Sequence, residues 1–311
     1  MRNVFLKRPS FGEFGYFSSR RGLFVLDRPM SKGNKPIHIF ISGASGRMGK
    51  ALIRLMEESP DFRLAGGLVR SAASVPHGRN KNISSEGGIA PLGPDMASRV
   101  SSADILLDFS RPEMTKKAVA LAVKHDKPLL IGTTGLDASL LSTMRKAAKR
   151  IPVLFAPNTS LGIALLAQSI QNIAARLGPG WDVEILEMHH RHKRDAPSGT
   201  ALFLGEAIAR GRNINLGSKA RYDRTQNAGE RETGTIGFAS LRGGDVAGEH
   251  IIIFAREGER LEFIHRISNR DVFAQGALDM IHWLIEQRPG FYNIEDYLGS
   301  LAPKKRKSGN P

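Results

Sequence analysis

No cysteine occurs anywhere in the chain. That absence excludes a disulfide scaffold, a thiolate metal site and a cysteine nucleophile, and it fits a reducing compartment. Long apolar runs are missing as well, and none approaches the roughly 18 residues that a membrane span requires. Acid is scarce: 30 Asp and Glu stand against 45 Lys and Arg, a formal net charge of +15. The location of that charge weakens the obvious conclusion. Residues 1–30 hold Arg2, Lys7, Arg8, Arg20, Arg21 and Arg28 against only Glu13 and Asp27, and KKRK at 304–307 adds four more cations. Terminal charge runs of this kind are usually solvated tails, so no nucleic-acid partner is expected.

The first thirty residues also lack a continuous apolar stretch of the secretory kind, and they show no helical or strand period. An Arg-rich transit peptide and a mis-started extension ahead of Met30 are both compatible with them. Residues 1–34 and the basic tail 301–311 are expected to be disordered and outside the fold.

What remains is a globular composition. The 311 residues are 41% hydrophobic and 24% charged, enough for two ordinary domains with real cores. After Pro36 the stretch IHIFIS (37–42) reads as a buried strand, and Met48, Leu52, Leu55 and Met56 repeat on one face of a helix. Strands follow at 62–70, 103–110, 127–135 and 151–158, with helices at 112–126 and 137–150, the latter capped by Asp137. Alternation of this kind implies an α/β fold, a Rossmann-type doubly wound parallel sheet covered on both faces, over residues 35–160.

The pattern changes after residue 160. A long apolar helix (161–176) leads to WDVEILEMHH, a helix from Ser198, and strands at 235–243, 250–257 and 260–268 with short connections. Successive strands make a second α+β domain with a mixed or antiparallel sheet, over 161–270. The helix 272–287, within 271–300, is amphipathic enough to pack back on the first domain. The stretch 71–100, rich in Ser, Gly and Pro, reads as a surface loop.

GASGRMG sets Gly43, Gly46 and Gly49 three apart between the first strand and first helix. Glycine there permits a tight turn and close approach of backbone N–H groups to a pyrophosphate at the helix N-terminus. The spacing differs from G-x-G-x-x-G, and its position in the α/β unit is what makes it a dinucleotide candidate. At the end of the second strand Val69 stands where an acid would accept from the ribose 2′-OH, with Arg70 beside it. A missing carboxylate plus an arginine favours a 2′-phosphate, hence NADPH over NADH. GTTG (132–135) and APNTS (156–160) close two strands at the edge where ligands sit in open α/β sheets, and their small polar side chains suit a nicotinamide and its ribose.

Three of the nine histidines crowd into EMHHRHKRDAPSGT (187–200). Ser198 sits at an N-cap position, so the N–H groups of Gly199 and Thr200 are free to meet an anion, with Lys193 nearby. A histidine that titrates near neutrality could give a proton to the molecule held there. No metal-ligand spacing appears, so no metal is expected.

With GASGRMG, GTTG, APNTSLGI and LRGGDVAGEH, this histidine motif resembles the dihydrodipicolinate reductase (4-hydroxy-tetrahydrodipicolinate reductase) family of lysine and diaminopimelate biosynthesis, from about Ile37 to Leu298. The resemblance implies NAD(P)H-dependent reduction of a cyclic, doubly carboxylated imine by a cytoplasmic homotetramer. It assigns His189 as the catalytic acid and Lys193 as a second proton-handling residue, with His190, Ser198, Gly199 and Thr200 binding the dicarboxylate substrate. Cofactor would lie on Gly43, Ala44, Ser45, Gly46, Arg47, Met48 and Gly49, on Arg70, on Gly132, Thr133 and Thr134, and on Ala156, Pro157, Asn158 and Thr159. Val69 and Arg194 depart from the residues common in the family at those positions. Two other readings differ in what they predict. A Rossmann-type amino-acid dehydrogenase would lack the dicarboxylate cradle, and a basic nucleic-acid-binding protein would show affinity falling steeply with salt.

Overall fold

The computed structural model describes residues 35–69, 89–91, 96–224 and 229–301. Expectations for residues 1–34, for Arg70 and the Val69 side chain, for most of 71–100 and for the tail from 302 lie outside the described residues.

The chain opens with β1 (Ile37–Ser42), α1 (Arg47–Glu58), β2 (Phe62–Val69), β3 (Ile89–Pro91), α2 (Met96–Ser101), β4 (Ile105–Asp108) and α3 (Pro112–Lys124). It continues through β5 (Leu129–Ile131), α4 (Ala138–Ala147), β6 (Pro152–Phe155), α5 (Leu161–Leu177), β7 (Asp182–His189), α6 (Gly199–Arg212) and α7 (Leu216–Lys219). Last come β8 (Ala220–Arg221), β9 (Ile236–Arg242), β10 (Gly248–Arg256), β11 (Glu259–Ile267), α8 (Asp271–Leu284), β12 (Gly290–Asn293) and α9 (Ile294–Leu301).

Seven strands form one sheet in the order β12-β6-β5-β4-β1-β2-β3, every pair parallel. Their near-continuous apolar runs are what a sheet buried on both faces demands. Alternate residues go to opposite faces. Ile39, Ile41, Leu107 and Leu130 join Leu52, Ala277 and Ile281 of α1 and α8 in one core. Phe40, Leu106, Ile131 and Val153 join Val119 and Met144 of α3 and α4 in another. Helix α8, last but one in the chain, therefore closes a face of the first sheet.

The second sheet is mixed, in the order β11-β10-β7-β9-β8, with β10 antiparallel to both neighbours and β7 parallel to β9. Among the described residues one face is roofed, by α5 and α6, and the strands alternate buried and half-buried positions. Val183, Ile185, Ile252 and Phe254 pack on Ile170, Leu204 and Ile208. The same period carries Glu187 and His189 under that roof, which is how two titratable groups come to be buried.

Several short elements escape a reading by hydrophobic period. Within 71–100 the structure has β3 pairing with β2, and α2 starts at Met96; elements of three and six residues are too short to show a hydrophobic period. Strand β12 adds a seventh parallel strand beside β6 from only four residues, GFYN. Among the described residues, no helix is long and apolar enough to cross a membrane.

Candidate active site

The glycine turn is a cradle that side chains would fill. Gly43 sits at φ +86°, the left-handed region that glycine tolerates. A Cβ on Gly49 would lie 2.4 Å from the Gly43 carbonyl oxygen and 2.6 Å from Ala44 Cα. Helix α1 starts from Gly46 with no side-chain cap, so its first N–H groups are left for an outside acceptor. Ser45 and Met48 are half-buried, Arg47 is exposed and Ala44 is buried.

The neighbouring loops are organised from within. Asp108, fully buried at the end of β4, accepts from Thr115 Oγ1 at 2.5 Å, from Thr133 Oγ1 at 2.9 Å and from the Ser110 hydroxyl. A buried carboxylate needs such donors. Thr133 Oγ1 also accepts the Ser110 N–H at 2.8 Å, so a ligand here would meet the Thr133 backbone rather than its hydroxyl. Gly132 has no room for a side chain, since a Cβ would lie 2.0 Å from the Phe109 ring, while Thr134 is exposed. Beyond β6, Ala156 is buried, Pro157 is exposed, and Thr159 donates to the Phe273 carbonyl of α8 at 2.6 Å. Asn158 reaches the first turn of α6, donating to Thr200 Oγ1 at 3.1 Å while accepting the Ser160 N–H at 2.9 Å.

The three histidines of the motif do not converge. His189 ends β7 and is buried, with Nδ1 2.5 Å from Glu187 Oε2. Its Nε2 lies beside Gly248, where a Cβ would come within 3.1 Å. Burial holds His189 below the ordinary histidine range, aided by Lys193 and Arg242 and opposed by Glu187. His190 turns the other way: Arg270 Nη2 meets its Nε2 at 2.7 Å, and the His192 N–H meets its Nδ1 at 3.2 Å. A neutral ring can accept only one of these. Burial first, then Arg270, His192, Lys193 and Arg47, lowers its affinity for a proton. His192 is exposed. Lys193 Nζ is held by both oxygens of Asp195, at 2.9 and 2.8 Å.

Ser198 caps α6 by accepting the Ala201 N–H at 3.1 Å, and its own N–H goes to Glu187 Oε1 at 3.1 Å. The N–H groups of Gly199 and Thr200 lie in the first turn, where the helix offers no acceptor. Nothing lies within 4 Å of a Cβ built on Gly199, so there is open space beside that residue.

Reading by sequence missed several participants. Glu187 is buried and accepts two bonds from Arg242, at 2.8 and 2.7 Å. Burial opposes its charge, but Arg242, Ser240 and His189 together keep its carboxyl below the usual range. The alternation of β7 could have flagged Glu187, which shares a face with Val183 and Ile185. His250, buried on β10, places Nε2 3.1 Å from Ser198 Oγ, and its ring meets that of His189 edge-on at 5.3 Å. Arg270, ahead of α8, carried no local signal at all. Among the described residues no group of three or more acids and histidines could hold a metal ion.

Comparison with known proteins agrees with this geometry. The family profile "Dihydrodipicolinate reductase, N-terminus" matches residues 37–159, and "Dihydrodipicolinate reductase, C-terminus" matches 162–298. The 4-hydroxy-tetrahydrodipicolinate reductase of Zymomonas mobilis is 45% identical, covering 85% of this chain and 97% of that protein. That of Hahella chejuensis is 43% identical, covering 84% and 98%. A dipicolinate-bound dihydrodipicolinate reductase from Paenisporosarcina sp. TG-14 shares the fold, with a TM-score of 0.67 at 24% identity, over 84% of this chain and 99% of that one. The first half of the chain is thus a pyridine-nucleotide-binding Rossmann domain, and the chain belongs to the dihydrodipicolinate reductase family.

Proposed function

We propose that this protein reduces 4-hydroxy-tetrahydrodipicolinate to tetrahydrodipicolinate with a reduced pyridine nucleotide. The observation that carries the reading is His189, buried at the end of β7 and linked through Glu187 to the start of α6, whose first N–H groups have no acceptor within the helix. In the overall change a hydride and a proton enter and the 4-hydroxyl leaves as water. Bound nicotinamide would supply the hydride; the cradle of Gly43, Gly46 and Gly49, with the loops at 132–134 and 156–159, suits its dinucleotide.

The chain's own residues supply the rest. The N–H groups of Gly199 and Thr200 hold a substrate carboxylate at the positive end of α6, with the Ser198 hydroxyl beside them. Arg270 and Arg47 make a cationic wall between the glycine turn and the histidine turn, with the His190 ring held against Arg270, suited to the second negative charge or to the pyrophosphate. His189 transfers a proton through Nε2, because Nδ1 is engaged by Glu187. Burial keeps the ring neutral while the site is empty. The arrival of two carboxylates favours its protonated form, so the acid is charged when substrate is present. Lys193, now paired with Asp195, is the second proton-handling group once substrate draws it away.

NADPH is the preferred cofactor, with NADH also used, on the strength of Val69 and Arg70. Homotetramer assembly fits the face of the second sheet opposite α5 and α6, where Leu241 and Ile264 are each 46% exposed and the strands carry Leu186, Met188, Ile251 and Ile253 half-buried. A cytoplasmic setting suits a cysteine-free biosynthetic enzyme. Competition by pyridine-2,6-dicarboxylate tests the cradle. A planar dicarboxylate should compete with substrate, whereas an amino-acid dehydrogenase of similar layout would ignore it.

A further inference from the structure

Three parts of the site meet at Glu187. Its Oε2 takes His189 Nδ1 at 2.5 Å and Arg242 Nη1 at 2.8 Å. Its Oε1 takes the Ser198 N–H at 3.1 Å and Arg242 Nη2 at 2.7 Å. The residue is fully buried, so these bonds take the place of water. We propose that Glu187 is a positioning residue that fixes His189 in its Nδ1–H tautomer and ties that ring to the anion-holding start of α6.

An ionised carboxylate only accepts, so the ring must place its hydrogen on Nδ1, and Nε2 becomes the nitrogen that gains and loses the working proton. Arg242 supplies the charge that keeps Glu187 ionised under the roof of the sheet. If Glu187 served only to join β7 to β9, Arg242 and Ser240 of β9 would satisfy it. Instead each oxygen is shared between Arg242 and a member of the site, one with the proton donor and one with the helix start. Arg242 is fixed in turn, since its Nη2 also donates to the Asp195 carbonyl at 2.6 Å. The other groups facing His189 are Lys193 and His250, with Asp195 behind Lys193 and His265 behind His250. None of these four makes a hydrogen bond to Nδ1 that could set the tautomer in place of Glu187.

The proposal rests on the reductase reading and is tested in the full chain with cofactor bound. Nitrogen-15 NMR of the His189 ring reports the tautomer directly. Wild type should show Nδ1 protonated, and Glu187→Gln should shift the ring toward Nε2–H or a mixture. A carboxylate that holds an imidazole in the right tautomer matters greatly to rate, so kcat should fall by about 10- to 100-fold or more in that variant. The alkaline limb of its pH profile should move to lower pH, because the group raising the His189 pKa is gone, while cofactor affinity stays unchanged. Glu187→Gln leaves Arg242 unpaired and could misfold; E187Q/R242M removes both charges and should show the same tautomer shift. A wild-type ring protonated at Nε2, or a folded variant with unshifted tautomer, pH limb and kcat, would overturn the proposal. Failure of the reductase reading would show separately, as wild type that binds cofactor without turnover, and the NMR result would still decide the role of Glu187.

Discussion

The side-chain amide of Asn158 donates to Thr200 Oγ1 at 3.1 Å, joining the loop after β6 to the first turn of α6. In the proposed function one partner lies on the nucleotide side and the other at the helix start that would receive the substrate. The bond would hold that helix start in place for the substrate. Asn158→Ala removes it together with the acceptor for the Ser160 N–H. A neutral hydrogen bond contributes about 0.5–1.5 kcal/mol net, so KM for the dicarboxylate should rise by about 2- to 12-fold. Steady-state kinetics with cofactor saturating checks this. An unchanged KM would mean that the bond only braces the loop.

His189→Gln keeps a polar side chain and removes the titrating group. General acid catalysis contributes about 10²–10⁴-fold, so kcat should fall on that scale with KM little changed. The pH dependence has a definite sign. The acid must be protonated, so activity is full below its pKa and is lost as pH rises through it. For the free enzyme, seen in kcat/KM, that limb should lie below the ordinary histidine range, because burial lowers the pKa of His189. In kcat it should lie higher, since two substrate carboxylates favour the imidazolium. Both limbs should vanish in the variant. A kcat within about threefold of wild type would remove His189 from the role of acid and leave Lys193 or His190 to take it.

His250 gives a prediction about stability. Burial, with His189 adding to it, pushes His250 down to about 3. A histidine held neutral in the fold but free to charge when unfolded stabilises fully above the unfolded value near 6.5, and that contribution is lost as pH falls toward 3. The loss is on the order of a few kcal/mol at the acid end. His250→Gln retains a donor for Ser198 without the titration. Urea midpoints at pH 7, 5 and 4 should fall less steeply in the variant; parallel curves would mean that other groups govern acid unfolding.

Cofactor choice is tested at Arg70. Arg70→Ala should weaken NADPH by about 1.5–3 kcal/mol, the scale of a charge-assisted hydrogen bond, and leave NADH almost unchanged. Titration of both cofactors decides it, because an equal loss for the two would assign Arg70 to the fold.

The parts of the site that could be read in advance are those built locally. Gly43, Gly46 and Gly49 declare themselves by spacing, because a turn too tight for Cβ atoms leaves a gap in the choice of residue. Ser198 is legible as a cap for the same local reason. The Rossmann half shows through the regular exchange of strand and helix periods. What could not be read is the destination of each side chain. Lys193 and Asp195 are two apart and pair, yet nothing in the motif distinguishes that from a lysine left free. His189 and His190 are adjacent but point to different partners, because a strand ends between them. Arg242, His250 and Arg270 reach the site from 50 or more residues away through strand pairing and the return of α8. The hydroxyls of Thr133 and Thr159 suited a ligand by type, but the buried Asp108 and the Phe273 carbonyl engage them.

The measurement that bears most directly on the account is the loss of nicotinamide absorbance with the cyclic imine generated enzymatically in the same cuvette, run with NADPH and with NADH. Oxidation of the nucleotide should begin only when the imine is supplied, proceed faster with NADPH, and stop on addition of pyridine-2,6-dicarboxylate. A folded protein that binds either nucleotide and oxidises neither in the presence of the imine would contradict the assignment.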